Sequence, residues 1–218
     1  LIAKHINISG LVQGVGFRPF VYRIAIKSGL HGWVRNYNGG VEIFVQGTMN
    51  SHDEFLKAVT SGYPVTASLS KIEVSNAKIL NISDFRISPS HNGSKTNTDI
   101  SPDIAVCNDC LRDVRGDSRR SGYPFTNCAH CGPRFSVIGK IPYDRCNTTM
   151  DTFRMCGKCE AEYKDIADRR FHAQTISCKD CGPQYTWINN ETEEKCFSAI
   201  LSNISHSVDK GEIIAIKG

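Results

Sequence analysis

Between Lys4 and Ser9, apolar Ile6 and Ile8 alternate with polar His5, Asn7 and Ser9, the two-residue period of a half-buried strand. From Pro19 to Lys27 the period changes. Phe20, Val21, Ile24 and Ile26 recur at helical spacing, and Gly29 follows as a stop signal. His31 to Tyr37 and Val41 to Gln46 read as strands joined by Asn38-Gly39-Gly40, which favours the left-handed backbone of a tight hairpin. Ser51 to Ser61 predicts a second helix, and Ser68 to Ile79 and Phe85 to Ile87 predict closing strands. Far downstream, Lys195 to Val208 is helix-like and Glu212 to Ile216 has the apolar run of a strand.

The order β-α-β-β-α-β over residues 1 to 90 predicts an α+β domain of the ferredoxin-like, split βαβ type. Residues 91 to 101 are polar and rich in turn formers, which predicts a linker. A cysteine block, residues 102 to 187, is expected to form the second domain. The helix and strand of residues 188 to 218 cannot bury a core by themselves, so they are expected to open a truncated further domain.

Composition adds limits. Of 218 residues 40% are hydrophobic, ordinary for a folded domain. No stretch approaches the ~18 apolar residues that span a bilayer, and the N-terminus lacks the pattern of a signal peptide. We expect a cytoplasmic protein without a membrane partner. The formal charge is +4, and residues 100 to 185 carry 13 Lys and Arg against 11 Asp and Glu. So balanced a block argues against nucleic acid as a partner.

The first 106 residues contain no cysteine, whereas eight of the ten cysteines fall in four C-x-x-C pairs: Cys107/Cys110, Cys128/Cys131, Cys156/Cys159 and Cys178/Cys181. The gaps between pairs are 17, 24 and 18 residues. Thiols three positions apart suit one metal ion better than long-range cross-links, and this spacing is a recognised four-cysteine zinc pattern. Eight thiolates hold two tetrahedral zinc ions. The block also repeats with a period near 50 residues: Cys128-Ala129-His130-Cys131-Gly132-Pro133 matches Cys178-Lys179-Asp180-Cys181-Gly182-Pro183, and Ser118-Arg119-Arg120 matches Asp168-Arg169-Arg170. One zinc per repeat is the simplest assignment, with cross-braced sharing of alternate pairs left open. His130, His172, Cys146 and Cys196 are read as non-ligands, and the zincs as structural, since no site has a vacancy for water.

One more segment carries chemistry. Ser9 to Arg18 lies between a strand and a helix, and Gly14 and Gly16 allow successive amides to turn inward as an anion-binding nest at the helix N-terminus. Arg18 adds a planar donor fork suited to phosphate. On spacing alone, a glycine-rich turn with a surface arginine is an equal reading. The identities go further: Gly10-x-Val12-Gln13-Gly14-Val15-x-Phe17-Arg18 and Gly29-Leu30-x-Gly32-Trp33-Val34-x-Asn36 closely resemble the acylphosphatase family over residues 4 to about 89. The resemblance implies that Gln13, Gly14, Val15, Gly16, Phe17 and Arg18 bind phosphate, with Arg18 foremost, and that Asn36 orients the attacking water.

Across the whole chain, that region followed by Pro102-Asp103-x-Ala105-x-Cys107-x-x-Cys110, the Tyr123 to Phe135 motif, Pro142-Tyr143-Asp144-Arg145 and Asp168-Arg169-Arg170-Phe171-His172-Ala173-Gln174 resembles the HypF family of hydrogenase maturation carbamoyltransferases. Cys146 stands where that family would have proline. The resemblance implies hydrolysis of carbamoyl phosphate to carbamate, adenylation of the carbamate with ATP in a following YrdC-like domain, and transfer of carbamoyl to a cysteine of a hydrogenase-maturation partner protein. The ATP and transfer steps would need the full-length protein, since the last residues resemble only the opening of the YrdC-like domain. The competing readings are a zinc-ribbon nucleic-acid-binding or adaptor module with an inactive front domain, and a stand-alone acylphosphatase.

Overall fold

The computed structural model describes residues 1–91, 99, 101–132, 135–189 and 192–217. The first region is a five-stranded sheet with two helices on one face. Its strands are β1 (Ile2–Leu11), β2 (His31–Tyr37), β3 (Gly40–Gly47), β4 (Ser68–Ala77) and β5 (Phe85–Ile87), and its helices are α1 (Phe17–Lys27) and α2 (Met49–Ser61). The spatial order β4-β1-β3-β2-β5 places β1 and β3 centrally. The four long strands pair antiparallel, and this is the ferredoxin-like arrangement expected from the sequence. The short β5 is an extra edge strand lying parallel to β2 rather than a closing strand.

Alternation in β1 sends Ile6 and Ile8 into the core, where Val34, Ile43 and Val45 meet Phe17, Val21 and Ala25 of α1 and Phe55 and Val59 of α2. Burying a side chain of this size stabilises by roughly 1.5–3 kcal/mol. Thr48 caps α2 by accepting from the Ser51 amide at 3.2 Å. The N-cap of α1 is Gly16, in the left-handed region at φ 76° and without a side-chain cap, so the helix amides open onto the preceding loop.

Most of the predicted linker, residues 92–98 and 100, lies outside the described residues. Among the described residues the cysteine block holds two short α-helices, α3 (Asn108–Arg115) and α4 (Gly157–Lys164), with 3-10 turns between them. A hairpin of β6 (Trp187–Asn189) and β7 (Thr192–Glu194) follows, then helix α5 (Phe197–Asp209). The expected strand at Glu212–Ile216 does not form: those residues belong to no regular element and Ile213 is fully exposed. An apolar run becomes a strand only where a neighbour accepts its backbone ladder, and among the described residues no strand pairs with it.

Candidate phosphate site and metal centres

In each cysteine repeat the first pair opens a helix. Cys107 and Cys156 are the N-caps of α3 and α4, and Cys110 and Cys159 lie buried in the first turns. The second pair lies in a turn, as where the Cys181 and Gly182 amides both donate to the Cys178 carbonyl. The sulfurs gather into two groups, Cys107, Cys110, Cys128 and Cys131, and Cys156, Cys159, Cys178 and Cys181, each within 4.8 Å. Sγ–Sγ edges are 3.6–3.8 Å. A tetrahedron with metal–sulfur bonds of ~2.3 Å has edges of ~3.8 Å, so both are zinc-binding clusters by dimension and by donor type. The pairs are shared sequentially, one cluster per repeat. His130 and His172 stand in neither group, Cys146 and Cys196 are exposed, and none of the ten cysteines is in a disulfide.

The repeats are tied to each other by the arginine pairs. Arg119 of the first repeat donates to Cys159 Sγ at 3.2 Å and to Glu162 on α4. Arg120 also reaches Glu162, at 2.6 Å, and the Ser177 carbonyl at 2.9 Å. Reciprocally, Arg169 of the second repeat donates to Cys110 Sγ at 3.0 Å and to Asp113 on α3, while Arg170 takes Asp113 and the Asn127 carbonyl. Asp113 and Glu162 each stand three residues after the second cysteine of a helix, one turn on and on the same face. A four-thiolate zinc centre carries a formal charge of about −2, which a guanidinium on sulfur offsets. Burial pushes the Glu162 carboxyl up, but the two arginines outweigh it and hold the group down at about 2.

The phosphate loop packs against this module. Gly14 and Gly16 have φ 74° and 76°, and a Cβ on Gly16 would meet the Ala129 carbonyl at 3.1 Å. No carbonyl among the described residues takes the Gly14, Val15 or Gly16 amides, which leaves a nest of donors. Gln13 points away from the nest: its Nε2 donates to the Tyr37 and Gly40 carbonyls, while its Oε1 accepts the Tyr143 amide at 2.9 Å. Val15 and Phe17 are core residues.

Arg18 and Asn36, on either side of the helix–strand connection at Leu30, converge on one short segment of the cysteine block. Arg18 Nη1 donates to Asp144 Oδ1 at 2.7 Å and Nη2 to the Tyr143 carbonyl at 3.1 Å. Asn36 Nδ2 donates to that same carbonyl at 3.1 Å. Its Oδ1 is buried without a hydrogen-bond partner among the described residues. A cavity of about 20 Å³, room for a water, lies between loop and module, lined by Gly14, Gly16, Arg18, Ala129, His172 and Gln174 among others. Burial pushes the His172 imidazole down to about 4, the charge of Arg18 adding to the effect and Asp144 opposing it. His172 is also the one non-glycine residue with positive φ, 54°, among those described. Sequence reasoning did not place Tyr143, Asp144 or His172 at this site. They lie in long motifs whose cysteines and arginines drew the reading, and no local spacing connects them to a loop over 120 residues away.

Comparison with known proteins follows the same division. The acylphosphatase family model matches residues 4–87 and the HypF finger model matches residues 106–138 and 155–188. The "Carbamoyltransferase HypF" of Rhodobacter capsulatus is 45% identical over 217 residues, 99% of this chain and 29% of its own length. The acylphosphatase of Archaeoglobus fulgidus is 43% identical over 88 residues, 40% of this chain and 98% of its own length. A crystal structure of full-length HypF in its phosphate- and nucleotide-bound form superposes with a TM-score of 0.91 at 42% identity, covering 100% of this chain and 28% of that one. The chain thus spans less than a third of the HypF proteins it matches. With an acylphosphatase-type sheet joined to two four-cysteine clusters, and with homology running through both, the chain belongs to the HypF family.

Proposed function

We propose that the first region hydrolyses acyl phosphates, carbamoyl phosphate foremost, to carbamate and inorganic phosphate. The observation that carries this reading is the convergence of Arg18 and Asn36 on two oxygens, a carboxylate and a carbonyl, beside a nest of unused amides. Those are positions for anionic and neutral oxygen ligands. The loop amides and Arg18 would hold the phosphoryl group and take up the charge that develops on it. Asn36 offers an unpaired Oδ1 to accept from a water and an Nδ2 to support it, which suits in-line attack on phosphorus. The P–O bond to the acyl oxygen breaks, carbamate leaves, and the phosphate itself takes the water's proton.

In the whole protein, the carbamate would pass to ATP-dependent adenylation and then to a cysteine of a hydrogenase-maturation partner, in the cytoplasm. The zinc ions would be structural, holding the module that closes the phosphate site. Their four-sulfur shells leave no open position for substrate. Among the described residues no helix is long and apolar enough to cross a membrane. The test is phosphate release from carbamoyl phosphate by wild type, Arg18→Ala and Asn36→Ala, each with its fold checked by circular dichroism. Equal rates for all three would sink the site assignment, and an inert wild type would sink the activity.

A further inference from the structure

Asp144 lies 126 residues from Arg18, yet its carboxylate forms a direct ion pair with that guanidinium, with side chains 9% and 20% exposed for Arg18 and Asp144. The pairing is not an accident of a loose loop. Residue 143 is gripped by the phosphate loop and β2, through its amide on Gln13 and its carbonyl on Arg18 and Asn36. On the other side, the Pro142 carbonyl accepts from Asn147 at 2.6 Å. Arg145 is fixed by the Gln174, Ile176 and Phe153 carbonyls, with its own amide on Gln174 Oε1. The backbone of 142–145 is thereby clamped from both sides. What remains free to turn is the Asp144 side chain.

We propose that Asp144 is a specificity-determining residue of the phosphate site: its carboxylate is the resident counter-ion of Arg18, displaced by a phosphoryl dianion but not by another carboxylate. This rests on reading the site as one for acyl phosphates. The argument is one of competing charges and donors. A carboxylate arriving from solution has one negative charge and two acceptor oxygens, no more than Asp144 already presents, and it must also give up its freedom in solution. A phosphoryl dianion has twice the charge and a third oxygen, and it alone can engage the Gly14–Gly16 amides and Arg18 together. The acyl product of hydrolysis is itself a carboxylate, or for carbamoyl phosphate a carbamate. Asp144 therefore distinguishes substrate from that product by the chemical group in which they differ, and it can reclaim Arg18 as the phosphoryl group departs.

The test titrates inorganic phosphate and, separately, acetate into wild type, Asp144→Asn and Asp144→Ala by calorimetry. Each protein is first confirmed to hold its full zinc content and native circular dichroism. Asp144→Asn keeps the shape and loses the charge, so it serves even if the smaller residue disturbs packing. Both variants are expected to bind phosphate about fivefold more tightly than wild type, the upper end for one incompletely buried ion pair. Acetate, without measurable binding to wild type, is expected to bind the variants and compete with phosphate. Unchanged or weaker phosphate binding in both variants overturns the proposal, because Asp144 would then orient Arg18 rather than occupy it. Wild-type behaviour of Asp144→Asn alone also overturns it, since charge would not be the cause. If hydrolysis fails while the tightening appears, the acyl phosphate reading falls and the role of Asp144 stands. If hydrolysis is normal without tightening, only the present proposal falls.

Discussion

Arg120 and Glu162 meet at 2.6 Å across the boundary between the two cysteine repeats, with the Arg120 side chain 2% exposed. A guanidinium so enclosed depends on its partner, because removing one member of a buried pair leaves an uncompensated charge. Glu162→Gln is expected to lower unfolding stability by about 3 kcal/mol, at the lower end for a buried pair since Arg120 keeps the Ser177 carbonyl. Denaturant unfolding at fixed free zinc measures it, and a loss under half that size would mean that the pair is solvated in solution.

Purified protein is expected to hold two zinc ions in all-sulfur shells, read by elemental analysis and X-ray absorption. Cys107→Ser should lower zinc content, and exposed Cys146→Ser should not. The exchange of arginines adds a sharper expectation. Arg169→Ala should speed chelator removal of zinc from the Cys107/Cys110/Cys128/Cys131 cluster, although Arg169 belongs to the other repeat. Equal release from both clusters in that variant would remove the charge-compensation argument.

For catalysis, Arg18→Ala should reduce kcat/KM by ~10²- to 10³-fold, the usual loss for a preorganised donor to developing charge. Asn36→Ala should act mainly on kcat, because positioning water affects the chemical step more than phosphate binding. Inorganic phosphate should inhibit competitively. A pure KM effect in Asn36→Ala would contradict its role with water.

Much of this was legible in sequence, and what was not has a common cause. Ile6 and Ile8 declared their strand, and the cysteine spacing declared its metal, because period and spacing are local signals. The Arg119-Arg120 and Arg169-Arg170 repeat was visible as a pattern, but its meaning lies in helices 42 to 57 residues distant. The contacts of Asp144 and Tyr143 with the phosphate loop have the same character. The Glu212–Ile216 run shows the converse: the local signal is there, but among the described residues no strand pairs with it. The motif assigns Gln13 to the phosphate loop but says nothing of its side chain, which braces the Tyr37–Gly40 hairpin and residue 143.

His172 yields a pH prediction. Burial and Arg18 hold its imidazole at about 4 against an ordinary 6.5, so the folded protein disfavours its protonation. The stability that follows is complete above pH ~6.5 and is lost as pH falls from there toward 4. Wild-type Tm should therefore drop between pH 7.5 and 5.5 by more than that of His172→Asn, a residue that tolerates the positive φ. Parallel decreases in the two proteins would show that His172 is not the titrating group.

The crossed arginines also bear on how the module acquires its metal. Filling one cluster charges its thiolates and so fixes the guanidinium sent from the opposite repeat. That repeat then has its own turn, between Arg120 and Cys128 or between Arg170 and Cys178, held in place before its ion arrives. The second ion would then find a site already braced by the first. Singly loaded molecules should then be scarce at every zinc concentration, and the module would respond to zinc supply as a threshold rather than in proportion.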